Sequence, residues 1–392
     1  MPLNFPPDKL KSLFQKKPSL HDSRVAVNIR NNVFKREYGK KALLSFITSA
    51  FEGEESGITH TNKTECFIIA EILDELGYIV DVVNYNDQSA DISNSYQLII
   101  GFGEPIERIL FKTENRNFRL ILYRNGADHN FSDELALART SKIFKERGLL
   151  LLDSTRIYPT PWKAQHFFAD AIVHLGNEFV SDTYRKYSTK VISLDLFYFN
   201  IDMPSCEKKP FNEIKYNFLW FGSAGAVHKG LDLLVDFFYR NPELNLFIAG
   251  LSAREQNFLN AFSREMTAEN ITNLGFVKLD SPEFTELVSN CGAIITPSLS
   301  EGGAGATLNA IANGHFFPIV SENTGLDFQH EEIRINNLSI EGIKQAIEEF
   351  LDLSEEEYLQ KTKRITSFIK HKHTIQNYRI KLKNSIENIL NS

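Results

Sequence analysis

Short apolar runs recur along the chain, each closed by a polar or glycine turn and followed by a stretch of helical pattern, and the alternation comes in two separate series. The first series contains Ala42–Phe51 (ALLSFITSAF), Tyr78–Tyr85, Tyr96–Phe102, Phe118–Tyr123, Gly148–Leu152 and Ala171–Leu175, with helical patterns such as 64–76 and 133–147 between them. Apolar runs of this kind, rich in β-branched residues, read as strands buried on both faces. Strands separated by helices pair in parallel, because each crossover carries the chain back over a face of the sheet. The alternation stops over 195–215, where Pro204, Pro210 and Glu207-Lys208-Lys209 mark a connecting segment. It resumes with Asn217–Phe221, a helix from about Lys229, then Leu244–Ala249, Ile271–Val277, Ala293–Thr296 and Phe316–Val320. Two doubly wound α/β domains in tandem are therefore expected, consistent with 392 residues being too many for one core of ordinary size. Ligands of such sheets bind beyond the carboxyl ends of the strands, so the expected active site is a cleft between the domains.

Composition narrows the function classes. A hydrophobic share of 42% with 24% charged residues belongs to a folded chain rather than a disordered one. The formal net charge of -7 speaks against nucleic acid as the main partner, since binding there needs clustered cations. The three cysteines, Cys66, Cys206 and Cys291, have neither C-x-x-C spacing nor histidine neighbours, so they read as packed thiols and no metal site is expected. The N-terminus, with Pro2, Pro6, Pro7 and Asp8, lacks the pattern of a signal peptide, and no stretch approaches the ~20 apolar residues needed to span a bilayer. A cytoplasmic protein is expected. The helical stretch 354–391 carries Lys361, Lys363, Arg364, Lys370, Lys372, Arg379, Lys381 and Lys383. Two readings fit it: a solvated helix face, or peripheral contact with the anionic inner face of a membrane.

Two segments carry chemistry. In 218–234 (FLWFGSAGAVHKGLDLL) a strand ends at Gly222, small residues follow, and Lys229-Gly230 opens a helix. A helix N-terminus offers unpaired N–H groups and positive dipole charge, so a diphosphate fits there with Lys229 as a point charge on it; a plain strand–turn–helix is the competing reading. In 294–326 (IITPSLSEGGAGATLNAIANGHFFPIVSENTGL) a strand delivers Ser298–Ser300, Glu301-Gly302-Gly303-Ala304-Gly305 forms a loop poor in side chains, and 306–313 is a helix ended by Gly314. A carboxylate such as Glu301 in a tight loop suits the hydroxyl donors of a sugar.

These paired segments resemble the retaining glycosyltransferases of the GT-B fold, the family 4 (group 1) type, whose donor domain carries a glycine loop ending in Lys-Gly and an E-x7-E motif. Lys229-Gly230 with the following 231–234 (LDLL) matches the first, and Glu301-Gly302 with Gly314 matches the second. The N-terminal half resembles the family more loosely, through 77–83 (GYIVDVV). The resemblance implies two Rossmann-like domains facing a cleft: 1–200 for the acceptor, 201–370 for the nucleotide-sugar donor, and 371–392 as a helix crossing back to the N-terminal domain. It also implies roles. Lys229, with Gly222, Ser223 and His228 in its loop, binds the donor diphosphate; Glu301 holds sugar hydroxyls; amides of Gly302, Gly303, Ala304, Gly305 and Ala306 contact sugar and phosphate; backbone near Phe276 and Val277 meets the base.

Two positions depart from the family pattern. Asn309 stands at the second acid of E-x7-E, where its amide can still reach a ribose, and Ser223 stands where an arginine is usual. In the N-terminal half His60, Asn62 and His129 are the acceptor-side candidates; His129 follows a strand end, where related enzymes keep a histidine beside the reacting sugar. Asp128 either orients His129 or caps the next helix. The implied chemistry is retaining transfer of a hexose-type sugar from a UDP- or GDP-linked donor to a glycan or lipid-linked hydroxyl, in cell-surface polysaccharide synthesis. It needs neither a metal nor a cofactor beyond the co-substrate. A nucleotide-sugar epimerase and a catalytically silent nucleotide- or glycan-binding partner are the alternatives.

Overall fold

The computed structural model describes residues 29–52, 61–92, 96–112, 116–187, 189–202 and 208–392. His60 and Cys206 lie outside them. The first sheet holds β1 (Ile29–Arg30), β2 (Lys40–Phe46), β3 (Tyr78–Asn84), β4 (Leu98–Gly101), β5 (Arg119–Arg124), β6 (Ala171–Leu175) and β7 (Lys190–Leu194), in the order β1-β3-β2-β4-β5-β6-β7. All of its pairings are parallel except β1 with β3. The second holds β8 (Asn217–Phe221), β9 (Asn245–Ala249), β10 (Ile271–Gly275), β11 (Ala293–Thr296), β12 (Phe317–Ser321) and β13 (Ile333–Ile335), ordered β10-β9-β8-β11-β12-β13 and parallel throughout. This is the doubly wound order whose direction reverses between β8 and β11, and the reversal opens a crevice at their carboxyl ends.

The expected α/β architecture is present. Strands β4, β6 and β11 are buried at every position, which is why they read as continuous apolar runs. Local expectations fail in three places. Residues 148–152 form no strand: Gly148 is the left-handed cap of the His129–Arg147 helix (φ 72°), and Leu149, Leu150 and Leu152 are exposed. The run 42–51 stops being a strand at Phe46 and turns into a 3-10 helix over Thr48–Phe51. The stretch 354–391 is two helices, Glu355–Lys372 and Ile375–Leu390, broken at His373 and restarted by Thr374, whose hydroxyl accepts from the Asn377 N–H.

The Ile375–Leu390 helix packs back on the first sheet's side. The Tyr378 and Tyr123 hydroxyls are 2.8 Å apart, Arg379 pairs with Glu71 and Glu75, and Lys383 pairs with Glu75. Lys372 and Lys381 pair with Asp195, and Lys361 and Arg364 with Glu331. Six of the eight cations considered for a membrane surface are thus engaged within the molecule. Two strands of chain join the halves, and they touch: the Tyr198 N–H donates to the His373 carbonyl, and His373 Nδ1 is 2.6 Å from the Leu196 carbonyl. Among the described residues no helix is long and apolar enough to cross a membrane. Cys66 and Cys291 are buried, and burial pushes both thiols up to about 12.

Candidate active site

The loop after β8 is shaped by close packing. Gly230 sits at φ 70°, and a Cβ there would lie 2.1 Å from the Pro297 carbonyl oxygen, so only glycine lets this turn meet the end of β11. The turn folds on itself: the N–H groups of Lys229, Gly230 and Leu231 donate to the carbonyls of Gly225, Val227 and Ala226. Gly225 and Ala226 donate to the buried Glu255 carboxylate, each at 2.8 Å. The amides expected to cradle a diphosphate at this helix start are therefore already bonded, and the loop's contribution is the Lys229 ammonium. Gly222 is half-buried over the Trp220 ring and Ser223 is exposed.

The loop after β11 behaves as the sequence suggests. Backbone N–H groups of Glu301 and Gly303 donate to the Asn323 and Thr324 carbonyls, which pins the loop. Gly303 (φ 90°) and Ala304 (φ 35°) then turn left-handed into the Gly305–Gly314 helix, which has no side-chain cap. Its first turn, with Gly305 and Ala306, presents N–H groups that lack acceptors within the helix, together with the positive end of its dipole. The left-handed residue that ends the helix is His315 (φ 52°) rather than Gly314.

Lys229 and Glu301, 72 residues apart, are brought into direct contact: the Lys229 ammonium donates to Glu301 Oε1. Lys229 is buried and Glu301 nearly so, with side-chain exposures of 11% and 12%. Around the same carboxylate oxygen lie Arg156 Nη1 at 3.8 Å and His228 Nε2 at 3.9 Å. Burial opposes ionisation of Glu301, yet the charges of Lys229 and Arg156 outweigh it and hold the carboxyl down at about 2. Burial lowers Lys229 against the pull of Glu301, and it takes His228 down to about 3, leaving that imidazole neutral. Arg156 is the functional candidate that sequence reasoning missed. It belongs to the N-terminal half and reaches across, its Nη2 donating to the Ala224 carbonyl at 3.0 Å.

Opposite these two loops stand residues of the first domain. Gly302 packs on 125–126: a Cβ there would be 2.5 Å from the Asn125 carbonyl carbon. Ser132 and Ser300 share a hydroxyl contact at 2.6 Å, and the Arg139 guanidinium pairs with the buried Asp232. Thr61 approaches Gly305, which places Asn62, in the first turn of the Thr61–Glu75 helix, on the same side. His129 starts its helix and is buried, with its ring stacked on Tyr158 at 3.8 Å and burial holding its pKa well below the usual range. Asp128 caps that helix, accepting from the Phe131 N–H, and its carboxylate also takes Lys186 and the Tyr187 hydroxyl. Capping, not orienting His129, is what Asp128 does.

One further expectation changes. The Asn309 amide is engaged at both ends, its Oδ1 accepting from the Phe199 N–H at 2.8 Å and its Nδ2 donating to the Gly305 carbonyl at 2.8 Å. It fastens the interdomain connection to the helix, a task different from the ribose contact expected of it. Phe276 follows edge strand β10 and is 81% exposed, while the neighbouring Val277 is buried. Open concavities of about 660 Å³ (around Asp170, Tyr187 and Lys190) and about 540 Å³ (around Arg30, Lys35 and Phe67) lie away from Lys229 and Glu301. Among the described residues no group of three or more His, Cys, Asp or Glu could hold a metal ion.

Residues 206–366 match the family described as glycosyl transferases group 1, the span that contains β8 to β13 and both glycine loops. Over that span the chain is similar to group 1 glycosyl transferases. Solved structures agree in fold. HepE of Anabaena, in complex with UDP-glucose, superposes with a TM-score of 0.55 at 11% identity, covering 89% of this chain and 99% of that one. A glycosyltransferase from Rickettsia africae ESF-5 gives 0.53 at 12% identity, covering 90% and 99%. TarM gives 0.52 at 11% identity over 75% of this chain, which spans only 55% of the TarM chain. Likeness at such identities is one of fold, and it makes the two facing sheets a GT-B architecture. No curated protein matches the chain in sequence.

Proposed function

We propose that this group 1 glycosyl transferase moves a hexose-type sugar from a nucleoside diphosphate sugar to a hydroxyl of a glycan or lipid-linked acceptor, with retention and without a metal. Its setting would be cell-surface polysaccharide synthesis in the cytoplasm, at or near the inner face of the membrane. The observation that carries this is the convergence of Lys229 and Glu301 beside the uncapped start of the Gly305–Gly314 helix, at the carboxyl ends of β8 and β11. A cation and a helix N-terminus suit the diphosphate; an ionised carboxylate beside them suits sugar hydroxyls.

In this mechanism Lys229 turns from Glu301 to the β-phosphate. The bond between the sugar C1 and the phosphate oxygen breaks with its electron pair going to the phosphate. The acceptor oxygen forms the new bond to C1 on the same face, and its proton passes to the departing phosphate. The protein supplies positioning and charge stabilisation rather than a covalent nucleophile. By resemblance to the family, backbone near Phe276 and Val277 is assigned to the base, and His129 and Asn62 to the acceptor side. UDP, the nucleotide named with HepE, is the first donor base to test, with GDP second.

The test incubates labelled UDP- and GDP-sugars with the protein, with and without a glycan or polyprenyl-phosphate-sugar acceptor. Nucleotide release that depends on acceptor, and that falls about a hundredfold or more in Lys229→Ala, is the expected result. Isomerised donor without acceptor would make the protein an epimerase. A silent nucleotide-binding partner is the second reading, favoured by the engaged amide of Asn309 and by Ser223; it predicts donor binding with no product.

A further inference from the structure

We propose that Arg156, carried by the N-terminal half, is the second cation of the donor-diphosphate site and completes it from across the cleft. The inference rests on the donor-site assignment above and adds a residue that neither glycine loop contains. Charge bookkeeping at the site motivates it. Lys229 and Glu301 are in contact and cancel, and His228 is a buried imidazole, so the donor half presents almost no net positive charge to a diphosphate. Arg156 adds a guanidinium cation to the site.

Its placement is specific. The guanidinium lies over the loop after β8, where Gly225 adopts φ 98° and a Cβ would come 3.1 Å from Arg156 Nε. Nη2 is fixed by the Ala224 carbonyl, while Nη1 points at the Glu301 carboxylate from 3.8 Å. Lys229 and Glu301 are nearly enclosed, but the Arg156 side chain is 38% exposed and so open to a ligand in solution. A guanidinium can engage two phosphate oxygens at once, as the single lysine cannot. Ser223, one residue before Ala224, has no positive charge of its own, and Arg156 covers the same stretch of loop. Because Arg156 comes from the other half, the diphosphate site is whole only when the halves are together, and nucleotide binding favours that closed arrangement.

The test measures UDP, GDP and uridine binding to the full-length protein by calorimetry and NMR titration, for wild type, Arg156→Ala, Arg156→Gln, Lys229→Ala, and Arg156→Ala combined with Ser223→Arg. The expected result is that both Arg156 variants weaken UDP by about ten- to a hundredfold while uridine binding holds. Ser223→Arg, which restores a cation without restoring the bridge between halves, recovers most of the loss. UDP affinity within about twofold of wild type in Arg156→Ala, with Lys229→Ala clearly weakened, overturns the inference and leaves the donor site standing. Equal loss of UDP and uridine without rescue makes Arg156 a tether between halves and also overturns it. Wild-type protein that binds neither UDP nor GDP removes the donor-site assignment itself. Arg156→Gln keeps a hydrogen bond to Ala224 within reach, so a folding failure of the alanine variant does not stop the comparison.

Discussion

Glu301→Gln separates the two jobs that the buried pair performs. With Lys229, Arg156 and Glu301 counted together the site carries a net charge of about one positive unit, and the substitution raises it to about two. At an effective dielectric of about 20, a carboxylate some 6 Å from a phosphate costs about 3 kcal/mol per phosphate charge, and screening with side-chain adjustment reduces the realised gain to about half of that. UDP, which lacks the transferred sugar proposed for Glu301, should then bind about tenfold more tightly. Stability moves the other way. Lys229 keeps its burial and loses its partner, a change that costs about 3–5 kcal/mol in buried pairs and, at about 2 °C per kcal/mol for a domain of this size, lowers the melting temperature by roughly 6–10 °C. Turnover with a sugar donor should fall about a hundredfold, because the proposed contact to the sugar hydroxyls loses its charge assistance. Thermal melts with and without UDP, alongside a nucleotide-release assay, read all three effects. A smaller UDP-induced shift than in wild type, together with unchanged turnover, would refute the arrangement of charges described here.

Three other outcomes follow from contacts elsewhere in the cleft. Gly302→Ala sets a methyl against the backbone of 125–126, so the halves should separate slightly, seen as a larger radius in small-angle scattering with the far-ultraviolet dichroism unchanged. Asn309→Leu removes the acceptor for the Phe199 N–H and should cost about 1–3 kcal/mol in chemical denaturation, whether or not nucleotide is present. For pH, burial lowers His129, His166, His174, His228 and His373, with His174 at about 4 and His228 at about 3. The unfolded chain takes up protons near pH 6.5 and the folded one does not, so the stability these neutral rings contribute is complete above pH 6.5 and is lost as pH falls towards 3. Glu65, raised by burial to about 7, acts in the opposite sense between pH 4.5 and 7, as do Glu107, Asp232 and Asp236, which burial also raises. Between pH 7.5 and 5.5 the balance should lower the melting temperature; a rise over that interval would count against buried neutral histidines.

Local signals carried the fold further than they carried the site. The parallel strands were legible because β4, β6 and β11 are buried on both faces and so keep no polar alternation. The edges were not: β1 has two residues, β13 alternates Ile with Arg334, and β7 begins with an exposed lysine, so none stands out from its surroundings. Leu149–Leu152 read as a strand because leucines are apolar wherever they sit, and nothing local says that a cap at Gly148 has just ended a helix there. Glu301 and Lys229 were readable from the loops that hold them. Arg156 was not, since its place depends on a contact 68 residues away at Ala224, and the amide of Asn309 was misread because its partner, Phe199, lies 110 residues before it.

The returning Ile375–Leu390 helix has a consequence for how the molecule is made. The first sheet is synthesised early, but Tyr123, Glu71 and Glu75 meet Tyr378, Arg379 and Lys383 only once residues 378–383 have been produced. During synthesis the early half must therefore wait with an uncovered flank while the later half, whose strands are contiguous from 217 to 335, can settle first. A stop placed after Lys372 would accordingly damage the part of the protein farthest from it in sequence.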